Sequence, residues 1–326
     1  MLMKDALTTK VKKILKTKVC ECGFTLDDCI RSGKENEDGS VGVYAGCANC
    51  YTTFSTLFDP IIKKYHKYTT SHSKDFDVSK LDDLELIKDF IVSTRIRVGR
   101  NLKNYPFGAS ISKEKRIEVE KIVVQQLKTF NGDLSGEYFS LNGMDEADRL
   151  RLVEDHFLFK SGDRFQESAG LNRDWPFGRG IFHSKDKNFL VWLNEEDQLR
   201  IISMQMGGDI FAVFKRLARA LEIIEQKIDF EYSKEYGYLT SCPTNLGTAM
   251  RASVHIKLPK LSAKKEFKTI CSDMQLSVRG IHGEFSESAD SVYDISNKQR
   301  LGLSEVEIIK LFYSGVKRLV EIEKSL

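Results

Sequence analysis

The chain has 326 residues, 41% of them hydrophobic and 30% charged, a composition that excludes a disordered chain and allows a full core with room for two domains. Its 50 basic and 47 acidic residues leave a net charge of only +3, so nothing calls for nucleic acid as a partner. The longest apolar run, Phe189 to Leu193, falls far short of the roughly 20 residues of a membrane span, and lysines interrupt any signal-peptide core near the N-terminus.

Residues 1 to 18 carry six lysines against one aspartate, with Leu7, Val11, Ile14 and Leu15 at helical spacing, which predicts a short amphipathic helix with a solvated basic face. A second helix is predicted over 24 to 37. The glycine-flanked loop Asp38 to Tyr44 follows, and its backbone can approach a ligand closely, or it is only a turn. A third helical run covers about 48 to 65. Cys20-x-Cys22 and Cys47-x-x-Cys50 could in principle assemble a four-thiolate zinc site, but helix-like sequence and the glycine loop fill the gap between the pairs. The reading therefore favours small hydrophobic or partly exposed thiols, and no protein-held metal is expected. Seven cysteines without a secretory signal fit a reducing compartment, and a cytoplasmic location is expected.

Ser, Thr, His, Lys and Asp crowd residues 66 to 85, the best linker candidate. Beyond it, Ile91 to Val98 alternates with period two. Ser93, Arg95 and Arg97 share one face, with Val92, Thr94, Ile96 and Val98 on the other. Such a face is either a fixed polyanion contact or a surface salt-bridge row. Helices are predicted over 112 to 128, 145 to 155 and 208 to 227. An antiparallel meander is predicted between 179 and 205, its acidic turn Asn194-Glu195-Glu196-Asp197 holding either a cation, a substrate or only solvent.

Ser241 to Leu258 reads as a turn feeding a strand. Cys242 stands at the mouth of the turn, while Arg251, Ser253 and His255 share a strand face opposite Val254, Ile256 and Leu258. Val278 to Glu284 is predicted as a glycine-hinged loop, and a helix over 304 to 324 begins at Ser304 with Glu307 completing a capping box. Alternating helices and antiparallel strands behind a small helical unit indicate an α+β fold.

Arg95, Arg97, Arg200, Arg251 and Arg279, if they converge, form a cage suited to a nucleoside triphosphate, because phosphoryl transfer needs its spreading charge stabilised and its reactants aligned. No P-loop or kinase His-Arg-Asp signature is present. Glu196, Glu284 and Cys242 are the candidate catalytic groups, an anionic cradle for a cationic nucleophile such as a guanidinium, with nearby arginines lowering the thiol's pKa.

The segments Ser93 to Arg97, Asn194 to Asp197, Cys242 to Thr248 and Tyr293 to Lys298 together resemble the phosphagen (guanidino) kinases, the arginine-specific members most closely, over a span from about residue 24 to the C-terminus. The resemblance implies a small all-α N-terminal specificity domain, 1 to 75, and a larger domain, 76 to 326, with an antiparallel β-sheet flanked by helices. It implies reversible transfer of the γ-phosphoryl group of ATP to L-arginine, with Mg2+ carried by the nucleotide. The family's nucleotide-binding residues fall on Ser93, Arg95, Arg97, His156, Arg200, Arg251, His255, Arg279 and Asp294. Its guanidinium-holding carboxylates fall on Glu196 and Glu284, and its reactive cysteine on Cys242. The specificity loop falls on Gly39, Ser40, Val41, Gly42 and Tyr44, with Asp38 and Arg164 tying the two domains together. Gly46-Cys47 stands where the family usually has Pro-Asp, and His282 and Phe285 replace an Arg and a His of the closing loop. The expected partners are ATP or ADP and a guanidine, with no nucleic acid and no membrane, in a monomer or homodimer. A kinase for taurocyamine, lombricine or another guanidine, and a catalytically silent nucleotide-binding homologue, are the alternatives.

Overall fold

The computed structural model describes residues 1–67, 71–81, 89–280 and 291–326. The N-terminal part is helical. α1 (Leu2–Ala6) and α2 (Thr9–Leu15) replace the single helix predicted over 1 to 18, because Thr8 turns extended and its hydroxyl accepts the Val11 N–H at 3.3 Å, capping a new helix. α3 (Leu26–Glu35) opens on a reciprocal capping box between Thr25 and Asp28. α4 (Cys50–Thr53) and α5 (Ser55–His66) divide the run predicted as one helix, since the fully buried Phe54 leaves the helical region at φ −110°, ψ 26°. Their apolar sides build a small core around Ile30, Val43, Phe54, Leu57 and Phe58. That core also takes in Phe107, Ala109, Leu171, Leu239, Leu246 and Leu301 from the rest of the chain.

The rest of the chain is built on one antiparallel sheet. Its elements in order are β1 (Ile91–Arg100), α6 (Lys113–Leu127), β2 (Gly136–Ser140), α7 (Glu146–Glu154), α8 (Arg164–Ser168), β3 (Gly180–Ser184), β4 (Phe189–Leu193), β5 (Leu199–Met206), α9 (Ile210–Glu225), the short pair β6 (Tyr232–Ser233) and β7 (Gly237–Tyr238), β8 (Met250–Lys257), α10 (Phe267–Asp273), β9 (Leu276–Gly280), β10 (Val292–Asn297) and α11 (Glu305–Ser325). Among the described residues eight strands pair in the order β2-β3-β4-β5-β1-β8-β10-β9. This is the α+β fold with a small helical region in front that the sequence predicts.

Alternation sorts the sheet's two faces. Ile96 and Val98 of β1, Ile201 of β5 and Ala252, Val254 and Ile256 of β8 turn to the back, where α6, α9 and α11 cover them with Val119, Phe214, Leu217, Ile309 and Phe312. Each such valine, leucine, isoleucine or phenylalanine side chain stabilises the fold by about 1.5–3 kcal/mol through burial. Val92 departs from the predicted pattern and is 41% exposed, because the pairing of β1 with β8 shifts register between Ile91 and Ser93 and turns Ile91 inward instead. On the front, Leu190, Trp192, Ile202, Leu158 and Phe159 form a third apolar cluster beside the row of charged side chains.

The predicted linker is anchored where it is described. The buried His72 pairs its backbone N–H with the Lys234 carbonyl at 2.8 Å, the Asp75 N–H donates to Glu305 Oε2 at 2.8 Å, and Leu81 is buried. Residues 68–70 and 82–88 of that stretch lie outside the described residues. Val278 to Gly280, predicted as loop, complete β9, since Arg279 and Val278 pair with Asp294 and Ile295. Residues 281–284 of that predicted loop, Glu284 among them, lie outside the described residues.

Candidate active site

Strand register places the front-face charges in rows. Arg97 of β1 stands opposite Arg251 of β8, Arg95 opposite Ser253, and Ser93 opposite His255. The rows continue through β10 and β9, where Asp294 pairs with both His255 and Arg279. Arg200 of β5 stands opposite Gly99. A Cβ added to Gly99 would come within 3.2 Å of Asp197 Oδ2, so glycine there leaves room for that carboxylate.

Two cavities open along these rows and share Arg251. One is lined by Arg97, Arg200, Arg251 and Arg300 with Asp197 and Asn245. The other is lined by Arg95, His156, Trp192, Glu195, Arg251, Ser253, His255 and Asp294. The guanidinium groups are fixed by carboxylates and rings. Arg200 Nη2 lies 2.9 Å from Glu195 Oε2 and 3.2 Å from Glu196 Oε2, and Arg251 Nη2 donates to Asp294 Oδ2 at 2.6 Å. Arg95 and Arg200 both approach the Trp192 ring, at 5.9 and 5.4 Å from its centroid. Burial first, then repulsion from Arg200 and Arg251, pushes Arg95 below the ordinary arginine value; Arg97 is pushed down by burial and by Arg200 and Arg95. Burial also lowers His255. The cleft thus holds cations crowded against each other and partly out of water, which a bound polyanion relieves.

Beside the cleft, the turn between β4 and β5 is buried, against the reading of a solvated turn. Asn194 and Asp197 are 5% and 6% exposed, and Asp197 Oδ1 accepts from Ser241 N at 2.7 Å and Asn101 Nδ2 at 2.8 Å. Glu196 lies between Arg200 and the amide of Asn245, whose Nδ2 is 3.4 Å away. Burial, then Asp197 and Glu195, raises Glu196 from 4.5 to about 7.

The Cys242 thiol meets Thr244 Oγ1 at 3.1 Å. Its environment reverses the predicted effect of the arginines: burial, followed by the Glu196 carboxylate, pushes the thiol up to about 12. The loop Gly39 to Tyr44 reaches the same place through its Tyr44 end, while the Ser40 and Val41 carbonyls accept from Leu2 and Met3 N–H and the Gly42 carbonyl from Gly33 N–H. Ala45 N donates to the Ser241 carbonyl at 2.8 Å, and the buried Tyr44 phenol is raised by burial and by the nearby Cys242 and Glu196. Gly42 holds a positive φ of 82° against the Gly33 backbone. Asp38 pairs with Arg164, both more than half exposed, while Asn36 and Ser32 add hydrogen bonds to Ser168 and Phe165.

The structure therefore gathers Ser93, Arg95, Arg97, His156, Arg200, Arg251, His255, Arg279 and Asp294 on one face, with Glu196, Cys242 and Tyr44 at its end. One arginine of the lining, Arg300, escapes the sequence reading. Arg300 donates to the Thr244 carbonyl at 3.1 Å and to Asn245 Oδ1, and Asn245 in turn reaches Glu196. Arg300 lies just past the recognised segment Tyr293 to Lys298, in a stretch without strand alternation, so periodicity carries no signal for it.

An anion cleft that ends at a buried carboxylate can bring a polyphosphate together with a cationic acceptor, which is what phosphoryl transfer to a basic nitrogen requires. Comparison with known proteins agrees. The family profile described as ATP:guanido phosphotransferase, C-terminal catalytic domain, matches residues 118–326, and the profile of the N-terminal domain matches residues 1–63. A probable arginine kinase of Caenorhabditis elegans is 51% identical over 99% of this chain and 92% of its own length. An arginine kinase of Anthopleura japonica is 53% identical over 99% of this chain, which spans only 46% of that longer protein. Among solved structures, a lombricine kinase superposes with a TM-score of 0.95 at 37% identity, covering 99% of this chain and 92% of that one. The duplicated taurocyamine kinase from Schistosoma mansoni gives 0.93 at 41% identity, with 99% of this chain covering 46% of it. The chain belongs to the ATP:guanido phosphotransferases, the phosphagen kinase family of enzymes.

Proposed function

We propose that this chain transfers the γ-phosphoryl group of ATP reversibly to the guanidino nitrogen of L-arginine. The observation that carries the reading is the continuity of the arginine-lined cleft with the buried Glu196, next to the loop that bears Tyr44. In this reading Ser93, Arg95, Arg97, His156, Arg200, Arg251, His255, Arg279 and Asp294 hold the nucleotide and stabilise the transferring group. Glu196, with Glu284 as the second carboxylate, orients the acceptor and draws off its proton. Cys242 enters as a neutral thiol in the empty enzyme; a guanidinium on Glu196 cancels the carboxylate charge that helps hold the thiol up.

Magnesium fits this site as a companion of the nucleotide. Glu195 and Asp294 line the anion cleft and would hold the metal's hydration shell. When bound, magnesium neutralises phosphate charge. The loop Gly39, Ser40, Val41, Gly42 and Tyr44 grips the amino acid end of the acceptor. The free thiols suit a cytoplasmic setting, and no helix among the described residues is long and apolar enough to cross a membrane.

The structural likeness to lombricine and taurocyamine kinases favours a second reading, in which another guanidine is the acceptor. ADP release from magnesium ATP with arginine, taurocyamine, lombricine and creatine in parallel separates the two. Stimulation by arginine above the others is expected; a stronger response to another guanidine reassigns the acceptor, and none with any guanidine overturns the activity.

A further inference from the structure

Cys20, Cys22, Cys47 and Cys50 are not among the residues lining the two cavities and take no part in the phosphoryl transfer described above. The sequence reading favours separate thiols because α3 and the glycine loop intervene. The fold brings the chain back instead. Gly33 N bonds to the Gly42 carbonyl at 3.1 Å and Tyr44 N to the Cys29 carbonyl at 2.9 Å, so the returning loop runs along α3 and delivers Cys47 and Cys50 beside Cys20 and Cys22. The Sγ separations are 3.1 Å for Cys20–Cys22, 3.4 Å for Cys20–Cys50, 3.6 Å for Cys20–Cys47 and 3.8 Å for Cys47–Cys50, and all four sulfurs lie within 4.8 Å of one another. A zinc ion bonded to four tetrahedral sulfurs at about 2.3 Å sets them about 3.8 Å apart.

The backbone around the sulfurs has the corresponding build. Cys20 to Phe24 is a tight turn closed by Cys20 N to the Phe24 carbonyl and Gly23 N to the Cys20 carbonyl, both 2.9 Å, with Gly23 at a φ of 80°. Cys47 and Cys50 flank the start of α4, where Cys50 N reaches the Cys47 carbonyl at 3.1 Å and Gly46 N–H donates to Cys50 Sγ at 3.4 Å. Backbone donors to sulfur stabilise thiolate charge around a bound ion. Asn49 Oδ1 accepts from Glu21 N at 3.2 Å and ties the two cysteine turns together. The Phe24 ring closes one side, so tightly that a Cβ on Gly46 would stand 2.6 Å from it. Cys20, Cys47 and Cys50 are buried and Cys22 half-buried, and all four are free thiols.

We propose that these four cysteines hold a structural zinc ion at the root of the loop that ends in Tyr44. Binding displaces the remaining thiol protons to solvent and leaves a dianionic tetrathiolate centre, with no ligand position open for catalysis. The ion clamps the turn at Cys47 against Phe107, whose N–H meets the Gly46 carbonyl at 2.7 Å, and so fixes the segment from Tyr44 to Ala45 against Ser241. This consequence for the loop rests on the proposed acceptor site; the metal centre itself does not.

The test is metal content of the full chain purified under reducing conditions with zinc in the medium. One zinc per chain is expected, released by a mercurial thiol reagent, and cobalt exchanged into the site should show the intense visible bands of a tetrahedral thiolate complex. Cys22→Ser combined with Cys47→Ser should lose the metal, while Cys271→Ser, a buried thiol elsewhere, should keep it. Where the double variant folds poorly, protection of the wild-type cysteines from alkylation by added zinc, mapped by mass spectrometry, reads the same sites. A chain that takes up neither zinc nor cobalt, that keeps its zinc in the double variant, or whose four cysteines alkylate equally with and without zinc overturns the proposal. Iron in place of zinc, seen as a red protein, overturns the choice of metal. Loss of zinc should raise KM for the guanidine several-fold more than KM for ATP; intact zinc binding without guanidine activity would count against the acceptor assignment alone.

Discussion

Glu196→Gln isolates the charge of the buried carboxylate while keeping its shape. In the folded chain burial, Asp197 and Glu195 raise this group from 4.5 to about 7. At about 1.4 kcal/mol per unit the shift corresponds to roughly 3 kcal/mol against the folded state once the group is ionised. Below 4.5 the proton is bound in both folded and unfolded chains, and the group costs nothing. As pH rises from there to about 7 the unfolded chain ionises first, so stability falls and the loss is complete above the folded value. Glutamine cannot ionise, and Arg200 still has Glu195 at 2.9 Å, so the substitution strands no charge. The variant should match the wild type in acid and exceed it by up to about 3 kcal/mol near pH 8, a few degrees in Tm by differential scanning calorimetry. Turnover in a coupled ADP assay should fall about 10²–10⁴-fold with nucleotide affinity near the wild-type value, because the acceptor has lost its base and its counter-charge. Turnover within about tenfold of wild type, or a lower Tm near pH 8, would refute the reasoning.

The same carboxylate predicts a proton count. Near neutral pH it is partly protonated in the empty enzyme, and a bound guanidinium favours the charged form, so guanidine binding should release a fraction of a proton below about pH 7.5 and almost none above about pH 9. Titration calorimetry in buffers of different ionisation enthalpy measures it; no buffer dependence would remove Glu196 from the acceptor site. Arg300→Lys keeps a positive charge but loses the forked contact to Thr244 and Asn245, and nucleotide affinity should drop about tenfold by equilibrium titration. Unchanged affinity would make Arg300 a bystander.

What the sequence reveals of this protein follows from how far a local pattern reaches. Period-two alternation in β1 and β8 is enough to name the arginine face, because in a sheet packed on one side the side-chain direction is fixed by parity. It misplaces Val92, since a bulge resets parity and leaves no local mark. The capping boxes at Thr25 and Ser304 depend on residues three positions apart, and the second is read correctly. Arg300 has no alternating neighbours. The cysteine pairs are readable as pairs, yet their meeting depends on α3 and the loop after it lying side by side, which spacing alone does not encode. Cys242 shows the same limit in electrostatics: its nearest strong influence is Glu196, more than forty residues earlier in the chain, and that carboxylate acts against the arginines the sequence brings to mind.

Rows of opposed residues also bind activity to correct assembly. Arg97 faces Arg251 and Ser93 faces His255 only because β8 lies in one register against β1. Slipping β8 by a single residue would carry Arg251 and His255 into the apolar layer under α9 and α11 and lift Ala252, Val254 and Ile256 into the cleft. A chain mispaired there could not persist as a compact but silent enzyme, since it would bury charge and bare its core at once. Quality control that inspects only exposed apolar surface thereby also polices the arginine-lined cleft, without ever contacting it.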